Sequence, residues 1–315
     1  MGNACQAAEE PGFQKAPQST GTSFNRTGNI KQGQAERDLT QSTLVRSRTS
    51  NIKRWNGGLN DTVRSQLSQL PDISSLKRKN FDISERIYID SLKANYCGDM
   101  TNGRPDGFGA LEFDNGDYLE GDFVNGVCEG RGRYIKANGS YYEGDLKNNV
   151  ADGHGKYFDR SGYRYEGQWK NNLPNGRGEA KYTNGSRYSG EFINNRRHGY
   201  GTLLERGCIF EGNFVENQLE GHAIMQAENG ETYDGEWKHN LKSGEGEYNW
   251  PDGSRYKGSY KRDKRDGYGF MSYPNGESYD GYWIQGKKEG EGTYKTLKQT
   301  LSGVWKGGDM IESKS

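Results

Sequence analysis

The chain is short of apolar residues: they make up 30% of its 315 positions, against roughly 45–50% in typical domains. A thick two-layer core is excluded. No apolar run approaches the roughly 20 residues that span a bilayer, and the N-terminus has no apolar core of a signal peptide. Proline is scarce, at 7 residues, so the 47 glycines do not belong to a Pro-rich disordered polymer. The four cysteines (Cys5, Cys97, Cys128 and Cys208) form no CxxC pair and no disulfide framework, which suits a reducing cytosol. Catalytic signals are also missing. There is no Gly-x-Gly-x-x-Gly, no Gly-Lys-Ser/Thr, no nucleophile elbow and no kinase or zincin motif. His154, His198, His222 and His239 fall at no metal-ligand spacing. We expect a non-enzyme with no metal and no cofactor.

What is present is glycine and aromatic side chain, with 21 Tyr, 11 Phe and 6 Trp. That aromatic load excludes full disorder. Charge is balanced in total, at 43 against 43, but not in distribution. Residues 11–80 hold 12 Lys and Arg against 4 Asp and Glu, while residues 81–315 are net acidic. This describes a basic tail on a mildly acidic body, not a nucleic-acid binder.

The chain begins Met1-Gly2-Asn3-Ala4-Cys5-Gln6. Gly2 is placed for N-myristoylation and Cys5 for a neighbouring palmitoyl chain, although Gln6 stands where Ser or Thr is usual. One myristoyl chain binds membranes only marginally, and a second chain or a basic patch completes the anchor. Residues 1–60 are expected as a disordered basic tail, and residues 61–94 as a short helical or capping segment, with Asp82 a candidate helix cap. Arg46-Ser47-Arg48-Thr49-Ser50 would suit a basophilic kinase, whose phosphate would weaken adhesion to anionic lipid.

From Tyr96 onward one pattern returns ten times. Its first glycine falls at Gly98, Gly121, Gly144, Gly167, Gly190, Gly212, Gly235, Gly258, Gly281 and Gly303, at intervals of 22 or 23 residues. Counting from that glycine, aromatic or large apolar residues stand at −2 and +2. A second glycine stands at +9 and a third at +11, with Ala223 the exception. In a strand, −2, 0 and +2 share one face, as do +9, +11 and +13. A three-residue loop over +16 to +18, spelled Asn-Gly or Pro-Asp-Gly, keeps that parity across each hairpin and lays the rings over the glycines. Self-similarity at a fixed period marks a repeat array.

Units such as Tyr165-Glu-Gly-Gln-Trp169 and Tyr233-Asp-Gly-Glu-Trp237, each followed by Gly-x-Gly, closely resemble the MORN (membrane occupation and recognition nexus) repeat. The resemblance covers residues 95–306 and leaves 307–315 as a flexible C-terminus. It implies an all-β fold: an elongated single-layer antiparallel meander of about ten 23-residue hairpins, with an aromatic-lined groove. Together with the acylated basic tail, the array leads us to expect a non-enzymatic scaffold that binds protein partners through the groove, tethered at the cytoplasmic face of a membrane, or at a cilium or the cytoskeleton. Alternatives are an axonemal part like radial-spoke head proteins, or an adaptor that binds phosphoinositides or regulates their kinases.

A single layer leaves its rings without a second layer above them. Tyr165, Trp169, Tyr188, Tyr233, Trp237, Tyr279, Trp283 and Trp305 are therefore the expected partner groove, fitting a helix, a second array or a homodimer. Lys257, Lys261, Arg262, Lys264 and Arg265 form the expected cluster for an anionic membrane surface.

Overall fold

The computed structural model describes residues 60–70 and 86–314. Gly2, Cys5, the basic tail and Asp82 lie outside the described residues. The chain divides into two compact units at Arg160/Ser161.

In the first unit, α1 (Asp61–Gln69) precedes seven strands: β1 (Ile87–Ile89), β2 (Ala94–Thr101), β3 (Arg104–Phe113), β4 (Tyr118–Val124), β5 (Val127–Ile135), β6 (Tyr141–Lys147) and β7 (Val150–Phe158). Each strand pairs antiparallel with the next. Asn60 caps α1 by accepting the Thr62 N–H at 2.8 Å. The helix rests on the β5–β6 loop: Asn60 Nδ2 donates to the Ala137 carbonyl at 3.3 Å, and Val63 is fully buried. The helical part of residues 61–94 is thus capped by Asn60, and its C-terminal part is strand.

The second unit is a meander of fourteen strands: β8 (Arg164–Lys170), β9 (Leu173–Lys181), β10 (Arg187–Ile193), β11 (Arg196–Glu205), β12 (Cys208–Val215), β13 (Gln218–Ala227), β14 (Thr232–Lys238), β15 (Leu241–Asn249), β16 (Arg255–Lys261), β17 (Lys264–Ser272), β18 (Ser278–Ile284), β19 (Lys287–Lys295), β20 (Thr300–Lys306) and β21 (Asp309–Lys314). β21 corrects the expectation of a flexible C-terminus, because it pairs with β20 from Lys306↔Asp309 to Ser302↔Lys314.

The expected register is present. Gly221 faces Trp237, Ala223 faces Gly235 and Met225 faces Tyr233, which pairs +9, +11 and +13 with the next +2, first glycine and −2. The connecting loops have three residues. At Thr183-Asn184-Gly185, Tyr182 N–H donates to Ser186 O at 2.9 Å, and Gly185 supplies the left-handed residue at φ 87°. Where a unit is one residue short, the loop absorbs the loss. Arg206-Gly207 makes a two-residue turn, and Gly201 still faces Gly212.

The second kind of turn, between the two strands of one unit, has two residues with positive φ, as at His239-Asn240 (52° and 63°). This mirror-image turn matches the twist of its strands. Its second residue also ties one unit to the unit before it. Asn240 Oδ1 accepts the Leu219 N–H at 2.7 Å and Asn240 N–H donates to Leu219 O at 3.2 Å. Asn149 does the same for Cys128, Asn217 for Arg197 and Asp263 for Lys242.

Candidate partner surface

The inner face is built on glycine pairs. At Gly167/Gly178 the Tyr165 ring lies flat across the two backbones. A Cβ added at Gly178 would fall 2.4 Å from the Tyr165 hydroxyl, so only glycine fits. Having crossed the pair, that hydroxyl donates to the Gln168 carbonyl at 2.9 Å. Tyr96, Tyr142, Tyr188, Tyr233, Tyr256 and Tyr279 each donate in the same way to the carbonyl three residues on. The Ala223 exception has a matching change: the −2 residue there is Phe210, which has no hydroxyl to place.

The rings at −2 and +2 then stack edge to face along the second unit. Tyr188 meets Phe192 and Phe214 at 5.2 and 5.1 Å, and Tyr233 meets Trp237 and Tyr260 at 5.2 Å. Tyr279 meets Trp283 and Trp305 at 5.2 and 5.3 Å. Over these rings fold four cationic side chains, all at +7, of which only Arg265 belongs to a site expected from the sequence. Arg197 lies 5.6 Å from the Phe214 ring centre, and Lys242 within 5.7 Å of Tyr233, Trp237 and Tyr248. Arg265 lies 4.1 Å from Trp283, and Lys288 within 4.9 Å of Tyr279, Tyr294 and Trp305. Burial lowers the pKa of Lys242, Arg265 and Lys288, and it pushes the Tyr279 phenol up to about 12.

The expected groove is therefore corrected. Its eight rings (Tyr165, Trp169, Tyr188, Tyr233, Trp237, Tyr279, Trp283 and Trp305) are only 0–9% exposed. They are filled-in core, because glycine lets each ring sink onto the backbone and neighbouring rings and the +7 side chains close over it.

The expected basic cluster is likewise divided among three places. Lys257 points outward from β16. Lys261, Arg262 and Lys264 lie exposed at the β16–β17 turn, where Lys264 donates to Gln285 at 2.7 Å. Arg265 points inward over Trp283 and donates to the Gly286 carbonyl at 2.9 Å. Strand alternation sends Lys264 and Arg265 to opposite faces.

The open surface is the other face. A shallow concavity of about 510 Å³ lies on β15–β17, lined by Glu245, Arg255, Lys257, Ser259, Tyr268, Phe270 and Ser272. Ser259 donates to Glu245 at 2.5 Å and Arg255 pairs with Glu247. Tyr268 and Phe270 in its lining, and Tyr282 and Ile284 on the neighbouring strand, are 43–54% exposed, and the Tyr268 and Tyr282 rings meet edge to face at 5.3 Å. The position of the Gly-x-Gly pairs within strands, rather than in loops, sets the residue between them outward, as Tyr268 is between Gly267 and Gly269. Among the described residues no group of three or more His, Cys, Asp or Glu could hold a metal ion. His222 meets only Asp234 (2.7 Å), while His239 lies 2.8 Å from Glu220 and 2.9 Å from Gln218. Among the described residues no helix is long and apolar enough to cross a membrane.

Glycine pairs under tyrosines at a 22–23-residue period define a β-hairpin repeat array. The chain belongs to the MORN repeat family. The repeat matches residues 96–118, 120–141, 142–162, 165–187, 188–204, 210–232, 233–255, 256–278 and 279–296. MORN repeats point to a protein-interaction scaffold. No curated protein matches the chain. Among solved structures, the TCP10 domain of Danio rerio CPAP is similar at 12% identity and a TM-score of 0.36, over 73% of this chain and 99% of that one. The SAS-4 (dCPAP) TCP domain of Drosophila melanogaster, in complex with a proline-rich motif of Ana2, is similar at 13% identity and a TM-score of 0.32, over 61% of this chain and 99% of that one. Scores at this level bear on neither fold nor partner.

Proposed function

We propose that the protein is a non-enzymatic scaffold tethered to the cytoplasmic face of a membrane, and that it presents the outer face of its second unit to a protein partner. The observation that carries this reading is the contrast between the two faces. The inner rings are covered by the chain itself, while Tyr268, Phe270, Tyr282 and Ile284 stand about half exposed around a concavity holding Lys257. Grouped apolar exposure of this kind marks an interaction surface. The tether is supported by Gly2, Cys5 and the basic residues 11–80, which together supply the two signals stable anchoring needs.

Two arms test the reading. A photo-crosslinking residue at Phe270 should capture a protein in cells, whereas one at the exposed Arg164 should not; no capture at either position overturns the outer-face site. Separately, Gly2→Ala should move the protein to the soluble fraction and Cys5→Ser should do so in part. A Gly2→Ala protein that stays on membranes overturns the tether.

A further inference from the structure

We propose that the edge of the second unit made by its two-residue turns lies on an anionic lipid surface, with the opposite edge turned away from it. This inference rests on the tether reading above and adds the orientation in which the tethered sheet is held.

Charge is sorted between the two edges of this unit. An antiparallel meander puts its turns alternately on opposite edges. On one edge lie the turns β14–β15, β16–β17 and β18–β19. With the residue on either side of each (238–241, 261–264 and 284–287), they hold 5 Lys and Arg against 1 Asp and Glu. On the other edge, the loops β13–β14, β15–β16 and β17–β18 (228–231, 250–254 and 273–277) hold 4 Asp and Glu and no Lys or Arg. Lys238, Lys261, Arg262, Lys264 and Lys287 are all exposed. The one carboxylate among them, Asp263, is turned inward. Its side chain is 5% exposed, accepts the Lys242 N–H at 2.8 Å and lies 3.8 Å from the Lys242 ammonium. Lys261, Arg262 and Lys264 come from the basic cluster expected from the sequence, and the fold adds Lys238 and Lys287 from the neighbouring turns.

Aliphatic side chains stand in water among these cations. Ile284 holds the place in its turn that Lys238 and Lys261 hold in theirs, and it is 54% exposed. Ile193 and Val215 hold that place in two earlier turns of the same edge, at 47% and 46% exposed. Exposed aliphatics flanked by long cationic side chains suit the headgroup boundary of a membrane, where the apolar group enters and the ammonium groups stay with phosphate. An acidic polypeptide would take the cations and leave Ile284 in water, so the composition of the edge favours lipid.

Successive turns of one edge are two strands apart, about 10 Å, so the three basic turns span about 20 Å. Their charges act on one patch of membrane, because each is felt across a Debye length of about 8 Å at physiological ionic strength. The same anionic surface repels the carboxylates of the opposite edge, so one field both holds the basic edge down and turns the acidic edge up. The sheet then stands on the membrane by its edge, and the exposed Tyr268 and Phe270 of the outer face stay open to a partner from the side.

The test uses the full chain, purified from eukaryotic cells so that acyl groups are kept, and vesicles of one part phosphatidylserine to four of phosphatidylcholine. A fluorescent amino acid is placed at Ile284 on the basic edge or at the exposed Pro251 on the opposite edge, and the vesicles carry a spin-labelled lipid as quencher. Quenching should be at least twofold stronger at 284 than at 251. Separately, Lys238→Glu/Lys261→Glu/Lys287→Glu should lower partition onto these vesicles at least tenfold, with an unchanged circular dichroism spectrum. Vesicle-bound protein that is quenched equally at the two positions, or more at 251, overturns the edge and leaves the tether standing. A folded triple variant that partitions like wild type does the same. If the triple variant does not fold, the quenching comparison, made on chains with every lysine in place, decides. A full chain that fails to bind these vesicles at all overturns both the edge and the tether.

Discussion

The two units use one repeat and finish it differently. In residues 60–160 the +7 position holds Pro105, Cys128 and Ala151, all small and buried, with the Cys128 thiol pushed up to about 12 by its burial. In residues 161–314 the same position holds Pro174, Leu219 and Met310 in three units, but Arg197, Lys242, Arg265 and Lys288, folded over the rings, in the other four. The outer faces differ in the opposite sense. On β5 of the first unit Arg133 and Ile135 are fully buried, and Arg133 reaches Glu120 at 3.1 Å and Glu143 at 2.7 Å. The matching faces of β16–β18 are open, with Lys257, Tyr268 and Phe270 exposed. The glycine–tyrosine frame thus sets the backbone, while the positions around it are free to close the outer face at β5 and to leave it open at β16–β18.

The frame itself should fail in the same way in either unit. Gly269→Val would drive a Cβ to within 2.3 Å of the Tyr256 hydroxyl. With backbone on one side and a ring on the other, nothing yields, and a loss of about 3 kcal/mol or more is expected. Thermal melting of the full chain measures this; a variant melting within a few degrees of wild type would show that the ring can leave its glycines at little cost.

Alkaline pH should expose the tyrosine face of both units, with a smaller effect per side chain. Burial raises the folded-state pKa of Tyr157 and of Tyr279 to about 12, against roughly 10 in an unfolded chain. The protonated phenol is thus favoured by folding. Its contribution is fully present below pH ~10 and is lost as pH rises toward 12. Tyrosinate absorbance from the buried rings should therefore appear together with unfolding. Smooth titration near pH 10 with the strand signal intact would contradict the burial.

The smallest effect sharpens the difference at +7. Lys288→Ala removes an ammonium group shared by three rings and should cost on the order of 1 kcal/mol, read as a shift in Trp305 emission and a modest fall in melting temperature. Exchanging Ala151 for Gly in the first unit removes one methyl group and no ring contact of this kind, and the Trp signals should not move. Equal responses in the two would mean that the +7 cations only fill space.

The period of the glycines determined the strands, their register, the three-residue loops and the identity of the face that carries the rings. These are local consequences of strand parity and of which residues tolerate a ring against the backbone, so Gly167, Gly178 and Tyr165 are sufficient to derive them. The two-residue turns within each unit were not read from the spacing, although pairs such as Asn171-Asn172 tolerate the positive φ they need. Tertiary structure alone decided that the eight expected groove rings are closed over, that the Arg265 guanidinium lies on the Trp283 ring, and that the apolar surface left in water lies on the far side. Each depends on what reaches across from the next repeat. A spacing rule counts residues along one chain segment, but burial is set by side chains arriving from 20 residues away. The sequence shows which face a ring takes; only the packed sheet shows whether that face has room left for anything else.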